Sequence, residues 1–207
     1  MRRTKEDSAR TRQRILAAAR KVFLSQGVAR TTLEQIATAA KVTRGAIYWH
    51  FADKTELFYA MREQVSVPML DRMDMGSLRG ASADPLSGIA GYLGSVVETM
   101  LRDPATRQTF EIMSFKCEYV GGLHPELRRH YARCAELTGA LAEAYRRAKR
   151  AGYLRKRLRP ELAALATCAF LIGLVRLWLY DRGGTTVRAA AARLISEHLA
   201  GCRRASR

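Results

Sequence analysis

Thr31–Phe51 reads TTLEQIATAAKVTRGAIYWHF. Thr32 opens a short helix: Gln35 stands three residues on, the spacing of a capping box, and Leu33, Ile36, Ala37 and Ala40 share one apolar face. Thr43 caps a second short helix that ends in Tyr48-Trp49-His50-Phe51. Successive helical residues turn by about 100°, so four consecutive rings cannot all face one core. Two short helices, Thr32–Ala40 and Thr43–His50, joined by a tight turn match a helix-turn-helix, whose second helix enters the DNA major groove.

The wheel of the second helix sorts its residues. Ile47 and Ala46 point inward with Phe51 beside them, while Arg44, Gly45, Tyr48 and Trp49 fall on the outer arc. Arg44, in the first turn, can bind a guanine edge through two hydrogen bonds. Gly45 has no side chain to hold the helix away from DNA. Tyr48 can donate its hydroxyl to a phosphate. Thr32 and Thr43 add hydroxyls at helix starts whose free N–H groups favour anions. Lys54 places a point charge near the same strand. Trp49 either touches a thymine methyl or sugar or covers the domain; His50 is either a backbone contact or a half-buried histidine with a local partner.

Outward from this pair the chain reads as helix after helix. Upstream, Ile15, Leu16, Ala19, Val22 and Phe23 form a helical stripe closed by Gly27. Downstream, Asp53 with Glu56 repeats the capping-box spacing, and Asp84-Pro85 and Asp103-Pro104 each place a cap before a first-turn proline. Gly121-Gly122 ends a helix, and Pro125 starts one that runs to about Gly152. Pro160 opens an apolar helix that stops near Gly183-Gly184, and Thr185 or Thr186 caps the last. No strand-like alternation or hairpin turn occurs. The expectation is an all-α fold of about nine helices, with a small N-terminal unit and a larger C-terminal bundle.

Composition narrows the function. The chain has 207 residues, 48% hydrophobic, enough for one or two cores. Its net charge of +17 suits nucleic acid or an anionic surface, and its first 54 residues carry twelve Lys and Arg against four Asp and Glu. Cys117, Cys134, Cys168 and Cys202 show no metal-like spacing and read as reduced thiols of the cytoplasm. His50, His124, His130 and His198 show none either, and there is no nucleophile motif or glycine-rich phosphate loop, so no enzyme, metal or cofactor is expected. The N-terminus lacks a signal core. The apolar run LAALATCAFLIGLVRLWLY is interrupted by Arg176, and its uncharged part falls short of the roughly 18 residues of a membrane span, which favours a buried helix and no membrane partner.

TTLEQIATAAKVTRGAIYWHFADKTELF resembles the DNA-binding signature of the TetR family of one-component bacterial regulators, and the resemblance extends upstream through TRQRILAAARKVF. It covers about residues 9–69, with the helix-turn-helix near 32–51, and leaves 70–207 as a ligand-binding and dimerisation domain. FKCEYVG at Phe115–Gly121 and GLVRLWLY at Gly173–Tyr180 are similar to the AcrR-type repressors of multidrug efflux pumps. The resemblance implies a homodimer that binds a palindromic double-stranded operator and releases it when a small-molecule inducer enters the C-terminal domain. By position, Arg44 would read bases, while Thr32, Thr43, Tyr48, His50 and Lys54 would hold the backbone. The last two long helices, about Pro160–Tyr180 and Thr186–Ala200, would pair across the dimer. The inducer would sit among the helices from about Lys54 to Tyr180. The apolar and aromatic candidates are Met61, Tyr92, Val96, Met100, Phe110, Met113, Phe170, Leu174 and Trp178; the polar ones are Gln64, Glu111, Cys117 and Glu118.

Two positions depart from the family pattern. Lys41 stands where the turn usually has glycine, which predicts a left-handed lysine costing about 1 kcal/mol, with a further phosphate contact in return. Pro68 lies inside the helix that begins at Asp53 and predicts a kink or break. The basic run RRAKRAGYLRKRLR, Arg146–Arg159, reads as solvated surface charge.

Overall fold

The computed structural model describes residues 5–72, 75–80 and 84–205. In chain order the helices are α1 (Lys5–Gln26), α2 (Leu33–Ala40), α3 (Arg44–His50), α4 (Lys54–Arg72), α5 (Met75–Arg79), α6 (Pro85–Arg102), α7 (Pro104–Phe115), α8 (His124–Arg150), α9 (Pro160–Tyr180) and α10 (Val187–Cys202). A 3₁₀ turn at Gly121–Leu123 precedes α8, and the described residues hold no strand, only an isolated bridge between Leu154 and Arg203. The all-α expectation holds, and the short α5 is the helix beyond the nine read from the sequence.

Two compact units emerge. The first comprises Met1–Met69 with Asp103–Glu126. Its core joins Ile15, Leu16 and Phe23 of α1, Ile36 of α2, Ile47 of α3, Phe51, Phe58 and Met61 around α4, and Ile112 of α7. Phe23 and Phe58 meet edge to face at 6.0 Å. Beside this core, the buried Arg62 lies 3.2 Å from the buried carboxylate of Glu126. Tyr59 donates its hydroxyl to Gly122 O at 2.8 Å, and Val28 N donates to Lys116 O at 2.8 Å. These bonds tie α4 and the α1–α2 connection to the segment after α7.

The second unit comprises Leu70–Arg102 and Leu127–Arg207. Leu86, Ile89, Leu93 and Val96 of α6, Tyr145 of α8, Ala164, Leu171 and Trp178 of α9, and Ile195 and Leu199 of α10 are buried. A polar chain crosses this interior. The Tyr145 hydroxyl shares a hydrogen bond of 2.7 Å with Thr167, whose Oγ1 is 2.8 Å from Nε2 of His198. It links α8, α9 and α10 and satisfies three groups whose burial unpaired would be costly.

Sequence and structure part in four places. Of the kink or break expected at Pro68, the break does not occur: α4 runs unbroken from Lys54 to Arg72. A proline removes one bond of the ladder and the flanking turns keep theirs. Gly121-Gly122 does not end a helix: α7 stops at Phe115, and Gly121, at φ +56°, begins the 3₁₀ turn instead. The cap of α10 is not a threonine side chain. The Asp181 carboxylate accepts from Gly184 N, Thr186 N and Arg188 N at 2.8–3.1 Å, and these bonds hold its carboxyl below the usual carboxylate range. Finally, α9 as a whole, 21 residues, is long and apolar enough to cross a membrane by length and composition. Its buried stripe, Ala163, Ala164, Thr167, Leu171, Leu174 and Trp178, packs instead within the second unit.

Candidate nucleic-acid interface

The α2–α3 pair is held by its own backbone chemistry. Thr32 and Gln35 form the reciprocal capping box, with Gln35 N donating to Thr32 Oγ1 at 3.2 Å and Thr32 N donating to Gln35 Oε1 at 2.9 Å. At the other end of α2, Lys41 is left-handed at φ 55°, ψ 47°, and is the one non-glycine residue of positive φ among the described residues. Val42 N donates to Ala37 O at 3.0 Å, the six-residue closure of a Schellman motif. Arg14 of α1 fastens this turn, its guanidinium donating to Ala40 O at 2.7 Å and Lys41 O at 3.2 Å. The role of Arg14 escapes a reading of the sequence, because nothing in the α1 periodicity marks which basic residue faces the turn. Lys41→Gly is expected to stabilise the protein by about 0.5–1 kcal/mol, the left-handed penalty less the extra entropy glycine loses on folding. Its thermal midpoint should rise accordingly; a fall would mean that the lysine side chain outweighs its backbone strain.

Thr43 then caps α3, accepting from Ala46 N at 3.2 Å. Ile47 and Phe51 are buried in the first unit's core, Ala46 is half-buried, and Tyr48 and Trp49 are 47% and 82% exposed. Arg44 donates from its guanidinium to the Tyr48 hydroxyl at 3.0 Å and lies 5.4 Å from that ring's centroid. Cation and ring are thereby organised together on the outer face one turn apart. An added Cβ at Gly45 would meet only Thr43 Oγ1, at 3.9 Å, so nothing inside the protein requires glycine there. His50 is half-buried, its ring tilted against Phe51 at 6.2 Å. Arg12 stacks over the other member of that pair, 5.2 Å from the Phe51 centroid.

At the start of α4, Glu56 N donates to Asp53 Oδ1 at 2.7 Å as the spacing predicts, but in return the Glu56 carboxylate accepts from Ala52 N, at 2.6 Å, rather than from Asp53 N. Lys54 points toward the α1–α2 connection: its ammonium donates to Val28 O, Ala29 O and Thr31 O, each at 2.8 Å.

The residues expected to hold an inducer fall in both units. In the first, Met61 is fully buried, Phe110, Glu111 and Met113 are half-buried on α7, and Glu118 is exposed. Gln64 is exposed and hydrogen-bonded to Gln13. The half-buried Cys117 thiol is pushed up to about 12, chiefly by burial and then by the carboxylates of Glu126 and Glu118. In the second, Tyr92, Val96 and Met100 are buried on α6, and Leu174 and Trp178 on α9. The Trp178 Nε1 hydrogen is buried with no acceptor, while the Arg188 guanidinium lies 4.2 Å above the ring. Phe170 stacks flat on His198, at 4.2 Å and 2°. A groove of about 370 Å³ runs between α6 and α10, lined by Leu86, Ala90, Ile195 and Leu199 among others, and none of the expected ligand residues lines it.

Comparison with known proteins accounts for both halves of the chain. Residues 15–61 match the family described as "Bacterial regulatory proteins, tetR family", and residues 84–202 match the "MAATS-type transcriptional repressor, C-terminal region". The chain is 37% identical over 179 residues to the HTH-type transcriptional regulator TtgR of Pseudomonas putida, covering 86% of this chain and 85% of that protein. Its fold superposes on NalD, the secondary repressor of the MexAB-OprM multidrug efflux pump in Pseudomonas aeruginosa, with a TM-score of 0.81 and 33% identity, covering 98% of this chain and 100% of that one. It is also similar to SmeT, the repressor of the Stenotrophomonas maltophilia efflux pump SmeDEF, in a complex with triclosan, with a TM-score of 0.75, 28% identity and coverage of 94% and 92%. A capped helix-turn-helix with Arg44, Tyr48 and Trp49 on its open face, followed by a helical unit that matches a repressor C-terminal region over its length, is thus a transcription factor and not an enzyme, and the chain belongs to the TetR family of bacterial regulatory proteins.

Proposed function

We propose that this regulator is a cytoplasmic homodimer that represses a multidrug efflux operon by binding a palindromic operator, and that a hydrophobic, drug-like inducer releases it. The observation that carries the DNA half is the outer face of α3: the paired Arg44 and Tyr48, the bare Gly45 backbone and the exposed Trp49. Arg44 reads a base edge, Thr32, Thr43 and Tyr48 reach phosphates, and the exposed Lys41 adds a cation at the turn. His50, half-buried beside Phe51, serves packing as well as the backbone. The dimer half draws on an apolar stripe left open along α9, Leu162, Leu165, Ile172, Leu177 and Tyr180, with Leu194 on α10.

The efflux assignment draws on relatives such as NalD and SmeT, and the triclosan complex of SmeT favours an aromatic, sparingly soluble inducer. Within the second unit, Tyr92, Val96, Met100, Leu174 and Trp178 supply an apolar lining, and the unpartnered Trp178 Nε1 offers one donor to it. Such a ligand lowers operator affinity only by its preference for the conformation whose recognition helices are out of register with DNA. The deciding experiment is a footprint of the purified protein on DNA flanking its own gene, with and without triclosan. The expected result is a protected palindrome with half-sites about 34–36 Å apart, or a multiple of this, lost on adding the drug. Protection without sequence preference would defeat the operator reading, and protection unchanged by any of a panel of efflux substrates would defeat the inducer reading.

A further inference from the structure

We propose that Cys134 and Cys168 form an oxidisable thiol pair in the second unit: a hydroperoxide oxidises Cys134, and Cys168 then closes an internal disulfide between α8 and α9. Of the four cysteines, these two meet. Cys168 Sγ lies 4.0 Å from Cys134 O, and the two thiols are hydrogen-bonded to each other. Cys117 belongs to the first unit, and the Cys202 thiol donates to His198 O within α10 at 3.6 Å. The pair is unequal: Cys134 is half-buried, whereas Cys168 is 4% exposed, so an oxidant reaches Cys134 first. One turn earlier on α8, the exposed His130 holds its Nε2 3.8 Å from Cys134 Sγ. Burial, and then Cys168, hold the Cys134 thiol above its usual value, while the Arg133 guanidinium pulls the other way. At neutral pH Cys134 is therefore mainly a thiol and needs a base at the moment of attack. The His130 imidazole is placed to be that base, with the Arg133 cation to favour the thiolate.

Cys134 Sγ attacks the outer oxygen of the hydroperoxide. The O–O bond breaks, the alcohol leaves with the thiol proton that His130 carries to it, and Cys134 becomes a sulfenic acid. Cys168 Sγ then attacks that sulfur. The S–S bond forms, and water departs with the sulfenic hydroxyl and the Cys168 proton. Two thiols thus give two electrons to the peroxide, and one disulfide, one alcohol and one water result. A disulfide needs side chains aimed at one another, and these hydrogen-bonded thiols are. Little is lost on leaving the reduced arrangement, because Cys134 O keeps its bond from Thr138 Oγ1, at 2.7 Å, when Cys168 turns away.

The test treats reduced full-length protein with cumene hydroperoxide, blocks the remaining thiols with iodoacetamide and maps the disulfides by mass spectrometry without reduction. The expected result is a Cys134–Cys168 linkage in most chains, within one subunit and reversed by dithiothreitol. Cys168→Ser should stop at a sulfenic acid on Cys134 that dimedone traps; Cys168→Ala serves equally if a buried hydroxyl unfolds the chain. Cys134→Ser should leave Cys168 reduced. On the Cys168→Ser background, His130→Gln should slow dimedone labelling on the order of tenfold or more, with helicity by circular dichroism unchanged. Linkage through Cys117 or Cys202, or between the Cys134 residues of two subunits, would overturn the pairing. A Cys134 that stays reduced while free glutathione in the same mixture is oxidised would overturn the oxidation itself. Labelling at an unchanged rate in His130→Gln would overturn the role given to the imidazole.

Discussion

Arg44→Ala should abolish base preference at one position in each half-site and lower operator affinity on the order of a hundredfold. A bidentate arginine–guanine pair contributes about 1–3 kcal/mol of discrimination, and a dimer loses two of them. A hundredfold is about 2.7 kcal/mol, or about 1.4 kcal/mol from each pair, and the pair forms readily because the guanidinium is already oriented before DNA arrives. It donates to the Tyr48 hydroxyl at 3.0 Å and lies 5.4 Å from that ring, on the most open face of a helix anchored by Ile47 and Phe51. Little side-chain entropy then remains to be lost on binding. Tyr48→Phe keeps the ring beneath the cation and removes the hydroxyl, so it should cost only a few-fold. Selection from a randomised duplex reads the preference and a titration reads the affinity. If Arg44→Ala keeps both, α3 does not dock as placed here.

How much of this was legible in the sequence depends on how local each cause is. The capping box at Thr32 and Gln35, the cap at Thr43, and the proline starts of α6, α7 and α9 are decided within four residues, and all are found where the spacing puts them. The left-handed Lys41 was legible through the family resemblance, whose pattern puts glycine at that turn position. Partners distant in sequence were not legible. Lys54 and Val28 are 26 residues apart, as are Arg14 and Ala40, and no periodicity pairs them. The Asp181 cap was hidden because the threonines beside α10 look like better caps, whereas the Gly183-Gly184 turn brings an earlier carboxylate onto the same N–H groups. Packing of α7 against α1 depends on which faces meet, as does the edge-to-face contact of Phe23 with Phe58, and pattern alone fixes only that both helices have an apolar face.

Leu165→Glu combined with Leu177→Glu should convert the protein to a monomer and reduce operator affinity by two orders of magnitude or more, the largest effect expected of any surface change. Both residues belong to the open stripe of α9, at 58% and 57% exposure, while the opposite face of that helix is closed by Ala163, Ala164, Leu171 and Trp178. The substitutions therefore leave the second unit's interior intact, and the Tyr145–Thr167–His198 chain with it. Across a two-fold axis each glutamate meets apolar side chains, and a symmetric interface doubles the cost, since the same patch serves both subunits. Loss of the dimer acts on DNA through effective concentration. With one α3 bound, its tethered partner samples the second half-site at a local concentration around the millimolar range, and a monomer forfeits that advantage entirely. Sedimentation velocity gives the mass and a titration the affinity, with circular dichroism verifying helicity. A variant that stays dimeric would place the interface elsewhere. A monomer that still bound the operator tightly would mean that one recognition helix suffices, against the two-fold geometry proposed for this regulator.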